Sequence, residues 1–411
     1  MREQNIKKDM LWNAVGNTLY LISQWLITIL VANIGEFSDA GVLSIAMSLS
    51  ATFQTISVFG IRSYQISDIE NKFSDTCYVS FRVITCAVAT LACLAASFIG
   101  KYDPSQITAI FLFMLFRLAD NFSDVLYGIE HKNGRLDLVG KSYTIKAPLT
   151  LGVFVLGYTV LGDLNAGLLL MAVASWIVTL LYDVISVRKL SDFKLWQRDT
   201  AWVSLARTTL PLCVYLFLSA AISTVPKLIL ERSLGEEILG AYSSIFAPAL
   251  LISTVSSYLY TPFVPYFAEA YSKRDITSFT KTFAKITAAI AAVAAVTLVA
   301  AVFLGDFALK ILFGEKILAY SYLLIPILIS IFASAIFTFL CTVCVVLRDF
   351  VGLLVACSAG ILSEIFITKK WIELSGVNAT SYGYIVASCI GAVILLFRML
   401  WILYGKRKKG V

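Results

Sequence analysis

The chain has 411 residues, of which 59% are hydrophobic and 14% charged, whereas a soluble domain carries about 25% charged residues. Its net charge of +7 is spread over connectors rather than gathered in a basic domain, which excludes nucleic-acid binding and fits positive charge retained on one side of a membrane. The apolar stretches are long and unbroken, so they imply membrane-spanning helices of ~20 residues and exclude a β-barrel.

Met1 to Asp9 is a short basic tail. The apolar segment after it is too long for a signal peptide and has no small-residue cleavage site, so it is expected to be the first retained span. Spans are expected near 11–33, 40–61, 81–100, 107–127, 138–160 and 164–186, then near 208–230, 238–262, 283–304, 319–345, 350–368 and 380–404. The connectors are short. The longest runs from Arg188 to Arg207, and among those on the opposite side the longest is Gly305–Tyr320.

The first span carries a polar stripe, Asn13, Asn17, Tyr20 and Gln24, whose spacing puts all four on one helical face. Such a face either packs on other helices or lines water. In the fourth span Arg117, Asp120, Asp124 and Gly128 share a face, with Asn121 beside them. Arg117 lies ~15 Å from the outer end of its helix, near the membrane midplane. A charge at that depth costs at least ~2.5–3.5 kcal/mol and turns toward a partner or a wet cavity.

Lys146, in the fifth span, falls at the depth of Asp120, so an Asp120–Lys146 contact is expected, with Arg117 left as the uncompensated cation. An ion-pair network locking two helices and a hydrated lining both fit this pattern. The seventh span is interrupted at Pro226-Lys227, with Glu231 and Arg232 toward its outer end. Cys341 and Cys344 form a C-x-x-C inside an apolar helix without a second pair or a nearby His, which points to packing rather than to a metal. Glu364 sits in the outer half of the eleventh span and is positioned to titrate. Arg398 lies near the inner end of the last span, within snorkelling reach of the surface.

With the N-terminus placed in the cytoplasm, the inner segments hold about 23 Lys and Arg, Arg188, Lys189, Lys194, Arg198 and the tail Lys406-Arg407-Lys408-Lys409 among them, against about six outside. Both termini are then cytoplasmic and the number of spans is even, about twelve. The halves also look related. Gly35-Glu36 with Gly41 and Ser44 recurs as Gly235-Glu236 with Gly240 and Ser243, and Phe81 and Thr85 match Phe283 and Thr287. Six spans per half make these parallel repeats. The expected fold is all-α: a six-helix bundle over residues 1–200, a second over 201–411, and a central cleft between them.

Catalytic chemistry finds little support. His131 is the sole histidine, which excludes H-E-x-x-H and leaves no spare His for a Ser-His-Asp site. Arg135 to Ser142 has the ending of a phosphate-binding loop, but Arg replaces its first glycine and no strand precedes it. No enzyme activity, cofactor or metal site is expected, and uphill work would draw on an ion gradient or on removal of product.

The run Arg117-x-x-Asp120-x-x-x-Asp124-x-x-Tyr127-Gly128, continuing through Asn133-Gly134-Arg135-x-Asp137 to Ser142-x-x-x-Lys146, resembles the bacterial oligosaccharide flippases. These belong to the superfamily of multidrug, oligosaccharidyl-lipid and polysaccharide transporters. Asn13-x-x-Gly16-Asn17 with Gln24, Pro226-Lys227-x-x-Leu230-Glu231 and Phe313-Gly314-Glu315-Lys316 extend the resemblance over essentially the whole chain. The chain departs from the family at His131, where Gln is usual, and at Lys146 and Lys227, where Arg is usual, so that the charge is kept without the bidentate guanidinium grip.

The resemblance implies alternating access in the cytoplasmic membrane, turning an undecaprenyl pyrophosphate-linked repeat unit of O-antigen or capsule toward the outer leaflet. A polysaccharide polymerase and chain-length proteins are the implied partners. Arg117, Lys146, Lys227 and Arg398 are the candidate cations for the head group, with Asn13, Asn17 and Gln24 as polar lining. Asp120, Asp124 and Glu364 are candidates for proton or sodium coupling. Two alternatives stay open: a multidrug or lipid II type exporter of the same architecture, and a membrane glycosyltransferase, polymerase or ligase acting on the same lipid-linked sugars.

Overall fold

Backbone groups in hydrocarbon must be satisfied within their own segment, so long apolar runs form helices. The computed structural model describes residues 2–68, 71–196 and 200–408, and among them helices alternate with short connectors. Arg198 and Lys409 lie outside the described residues, as do the side chains of Lys406, Arg407 and Lys408. Eleven helical stretches are long and apolar enough to cross a membrane. The helix Pro104–Lys132 is equally long but is not among them, because Arg117, Asp120, Asn121 and Asp124 lie within its length. With it, the described residues supply twelve candidate spans.

By its contacts the chain divides into two compact units, Met1–Phe217 and Leu218–Val411. The first contains α1 (Arg2–Ile34), α2 (Phe37–Val58), the short α3 (Ile61–Ser67), α4 (Asp75–Ile99), α5 (Pro104–Lys132) and α6 (Leu136–Leu161). It continues with α7 (Leu164–Val178), which passes through a π-helical turn, Thr179–Asp183, into α8 (Val184–Arg188). The boundary between the units falls inside α9 (Ala201–Leu234). The second unit holds α10 (Glu236–Tyr260), α11 (Val264–Ser272), α12 (Ile276–Phe313), a 3₁₀ segment Glu315–Leu323, α13 (Leu324–Val346), α14 (Phe350–Ser375) and α15 (Asn378–Lys408).

Local chemistry explains the helix starts. Ser74 accepts a hydrogen bond from Cys77 N–H at 3.1 Å to cap α4. Pro104 follows Asp103, whose capping box with Gln106 opens α5. Each such cap satisfies a donor that the first turn would otherwise leave unpaired.

Packing repeats from one unit to the other. In the first, α2 packs on α4 and α5, α4 on α5, and α7 on α5 and α6; in the second, α10 packs on α12 and α13, α12 on α13, and α15 on α13 and α14. The paired sequence marks sit at matching places, Gly35 between α1 and α2 and Gly235 between α9 and α10. Within the first unit α1 lies along α6 so closely that a Cβ on Gly16 would fall 2.1 Å from the Gly140 carbonyl oxygen. Two glycines meeting backbone to backbone permit that approach.

Three expectations are corrected, the first being the seventh span, which is not interrupted at Pro226-Lys227 because α9 runs through both as one helix. The segment Gly305–Tyr320 is not an extended connector, because α12 continues to Phe313 and the 3₁₀ segment follows at once. Lys310 pairs with Glu315 at 2.7 Å across that junction. The tail before the first span is also helical from Arg2. Hydropathy marks the apolar part of a helix and is blind to polar turns that extend beyond it.

Candidate functional site

Helix α5 is mostly buried and carries its polar residues into the interior of the first unit. Asp120 accepts a hydrogen bond from the Tyr20 hydroxyl of α1. Its carboxylate also lies 3.9 Å from Arg117 Nη1 and 3.6 Å from Lys146 Nζ. The Asp120–Lys146 contact is therefore present in the structure. Arg117 is not uncompensated as expected: it shares Asp120 and lies against the rings of Phe113 and Phe116.

Lys146 has a second anionic partner that the sequence reading missed. Its Nζ is 3.1 Å from Asp183 Oδ2 and donates to Ser123 Oγ at 2.8 Å. Ser123 in turn donates to Asp183 at 2.6 Å. Asp183 ends the π-helical turn, which aims it and Thr179 together at α5. Lys146 is 0% exposed, so all its charge is spent inside the unit. It holds α5, α6 and the π-turn together and presents no surface to a ligand.

One turn further along α5, Asp124 is gripped from two sides, by Arg82 of α4 at 2.8 Å and by Arg62 of α3 at 3.3 Å. Arg82 is itself buried and donates to the Ser57 carbonyl at 2.6 Å. Gly128, on the same face, is where Gln65 packs: a Cβ there would come 1.9 Å from Gln65 Oε1. The groups joined by ion pairs therefore comprise four cations, Arg62, Arg82, Arg117 and Lys146, against three carboxylates, Asp120, Asp124 and Asp183. Arg62 and Arg117 alone among these cations reach the unit's surface, with side chains 28% and 23% exposed.

The remaining candidates are each placed within their own unit. Asn17 donates to Asn13 within α1, at 2.9 Å to its carbonyl and 3.0 Å to its side chain. Gln24 Nε2 is buried without a hydrogen-bond partner among the described residues. In the second unit, Lys227 Nζ stands 4.3 Å from the centroid of the Phe246 ring, which stacks on Tyr242. Glu364 is fully buried, and neither carboxyl oxygen has a hydrogen-bond partner among the described residues.

Arg398 is engaged by Asp349, with Nε donating at 2.8 Å and Nη2 to the other oxygen. That guanidinium holds the Asp349 carboxyl below its ordinary range, and Asp349 also caps α14 through Gly352 N–H. Arg398 thus serves first as a structural partner. Cys341 and Cys344 are buried free thiols of α13. Among the described residues no group of His, Cys, Asp and Glu is placed to hold a metal.

Arg62, Arg82 and Asp183 escaped the sequence reading because each lies near a helix end, where a charge needs no special explanation. A signal existed for Asp183, a carboxylate inside an apolar run five residues before Arg188.

No family model matches the chain. A capsular polysaccharide biosynthesis protein of Staphylococcus aureus, CapF, is 24% identical over 311 residues, which is 75% of this chain and 78% of that protein. Among solved structures, the inward-facing form of a multidrug resistance MATE family transporter of the MOP superfamily superposes with a TM-score of 0.74 at 12% identity, covering 98% of this chain and 100% of that one. The lipid II flippase MurJ, in an inward closed conformation, gives 0.72 at 12% identity, over 95% of this chain and 87% of that one. The chain is a multi-pass membrane protein with the fold of these transporters.

Proposed function

We propose that this transporter fold carries a lipid-linked oligosaccharide, joined to undecaprenyl through pyrophosphate, from the cytoplasmic to the outer leaflet for surface polysaccharide synthesis. The four cations that meet three carboxylates in the ion pairs around α5 carry the reading. A pyrophosphate head with its sugars cannot enter hydrocarbon unaided and needs fixed positive charge in a wet passage. The transporter fold and the similarity to a capsule biosynthesis protein support it from two independent sides.

Arg62 and Arg117 are the groups we assign to the phosphates, since their side chains are part-exposed and a guanidinium is suited to bidentate contact. Lys146 is assigned a positioning role, holding Asp120 and Asp183 so that Arg117 stays oriented. Lys227, lying over Phe246 without an ion-pair partner among the described residues, is a cation the second unit offers, and Arg398, engaged by Asp349, is the other candidate there. Asn13, Asn17 and Gln24 are assigned to sugar hydroxyls, and Asp120, Asp124 and Glu364 to ion coupling. Both termini are assigned to the cytoplasm.

Complementation of a flippase-deficient capsule strain tests this. Arg117→Ala and Arg62→Ala are expected to lower surface polysaccharide at least tenfold while membrane levels stay normal, with Arg117→Lys intermediate. Normal polysaccharide from both alanine variants at native expression overturns the cationic-passage reading.

A further inference from the structure

On another flank of the first unit, α4, α5, α7 and α8 enclose an apolar groove of about 400 Å³. Val83 and Ala87 of α4 and Leu118 of α5 form one wall. Trp176, Leu180 and Val184, continued by Arg188, form the other at intervals of four residues. That run spans about 18 Å of helix, close to the ~15 Å of hydrocarbon in one leaflet. Arg188 is the last residue of its candidate span, so the groove reaches from the membrane surface to the midplane.

The connector after α8 roofs the surface end with Phe193 and Leu195. It is fastened to the start of α4, where Ser191 donates to Asp75 at 2.6 Å and Lys194 N–H donates to Thr76 at 3.1 Å. Arg188, Lys189 and Lys194 are all exposed there, with Asp192 as the exposed acid between them. Among the described residues no carboxylate lies within ion-pair distance of Arg188.

An apolar slot one leaflet deep, whose mouth carries a guanidinium with no ion-pair partner among the described residues, matches one molecular class. We propose that the groove binds an acyl chain of an anionic phospholipid whose phosphate rests on Arg188. The far side of the same wall matters for the transporter. Leu180 of the π-turn and Val184, which follows it, face the groove, while Thr179 and Asp183 of that turn face Ser123 and Lys146. A seated chain therefore braces the turn that neutralises Lys146. This site depends on the membrane fold and not on which solute is carried.

Native mass spectrometry of the full-length protein in detergent, with phosphatidylglycerol or phosphatidylcholine added, tests the proposal. The wild type is expected to retain phosphatidylglycerol about fivefold better, the discrimination of roughly one cation's worth of interaction with an anionic head group. Arg188→Ala, at an exposed position, is expected to erase that preference. Ala87→Trp, which fills the groove, is expected to lose both lipids, and Lys101→Ala is expected to change neither. Equal retention of the two lipids by the wild type, or an unchanged preference in Arg188→Ala, overturns the proposal. So does displacement of phosphatidylglycerol by an equimolar polyprenyl phosphate, which would give the groove to a carrier lipid.

Discussion

Replacing Lys146 by Met tests the first unit most directly, because Met keeps the volume and removes the charge. In the wild type Nζ sits 3.1 Å from Asp183 and 3.6 Å from Asp120, and donates to Ser123 at 2.8 Å. Asp120 keeps Arg117 and Tyr20 after the substitution. Asp183, 1% exposed, keeps only the hydroxyls of Ser123 and Tyr127, a buried carboxylate without its cation. Breaking one side of such a pair costs about 3–5 kcal/mol, because the surviving charge remains desolvated. Adding Asp183→Asn removes that charge, so the double variant is expected to recover at least half of the loss. Denaturant titration in micelles, read as a double-mutant cycle, supplies the coupling energy. If Lys146→Met unfolds within about 0.5 kcal/mol of wild type, or if the two losses simply add, the ion pair is not what holds α6 to the π-turn.

Three further outcomes are expected. Gly16→Val forces side-chain atoms onto the Gly140 carbonyl, where the first carbon alone would sit at 2.1 Å. At least the 1–3 kcal/mol of an overpacked core is then lost, visible as reduced monodisperse yield on size exclusion. Asp349 has a carboxyl lowered by Arg398 from its usual 3.8. Its stabilising contribution is complete above that ordinary value and disappears as pH falls through the lower folded one, so Asp349→Asn is expected to flatten the acid limb of a stability–pH profile. Glu364→Gln removes a titratable group whose oxygens find no hydrogen-bond partner among the described residues. It is expected to leave the melting temperature unchanged while abolishing the pH dependence of polysaccharide export, and a retained pH dependence would exclude Glu364 from coupling.

The spans were legible because their signal is composition summed over a helix length, and the Asp120–Lys146 contact because depth can be counted from helix ends. What stayed hidden involves three or more helices at once. Lys146 is wholly buried only because α5, α6 and the π-turn converge on it, and that turn leaves no mark in hydropathy. Arg62 and Arg82 read as residues of helix ends, yet α3 and α4 deliver both to Asp124. Arg398 looked free to snorkel because its partner, Asp349, lies in a connector far away in sequence.

The repeat itself argues for where the chemistry is concentrated. Packing order pairs α5 with α13 and α6 with α14. Where α5 carries Arg117, Asp120 and Asp124, α13 has no charged residue along its whole length, and where α6 carries Lys146, α14 carries Glu364, which has no hydrogen-bond partner among the described residues. Charges inside spans are costly, so a scaffold used twice has no structural need for a four-cation cluster if its second copy packs without one. The part-exposed cations Arg62 and Arg117 are therefore the members of the cluster assigned to binding, while the buried Lys146–Asp183 pair holds the unit together. Grafting α13-like apolar residues at Asp120 and Arg117 together should then leave a folded, inserted protein that exports no polysaccharide. Loss of insertion in that double variant would return the cluster to a purely structural role.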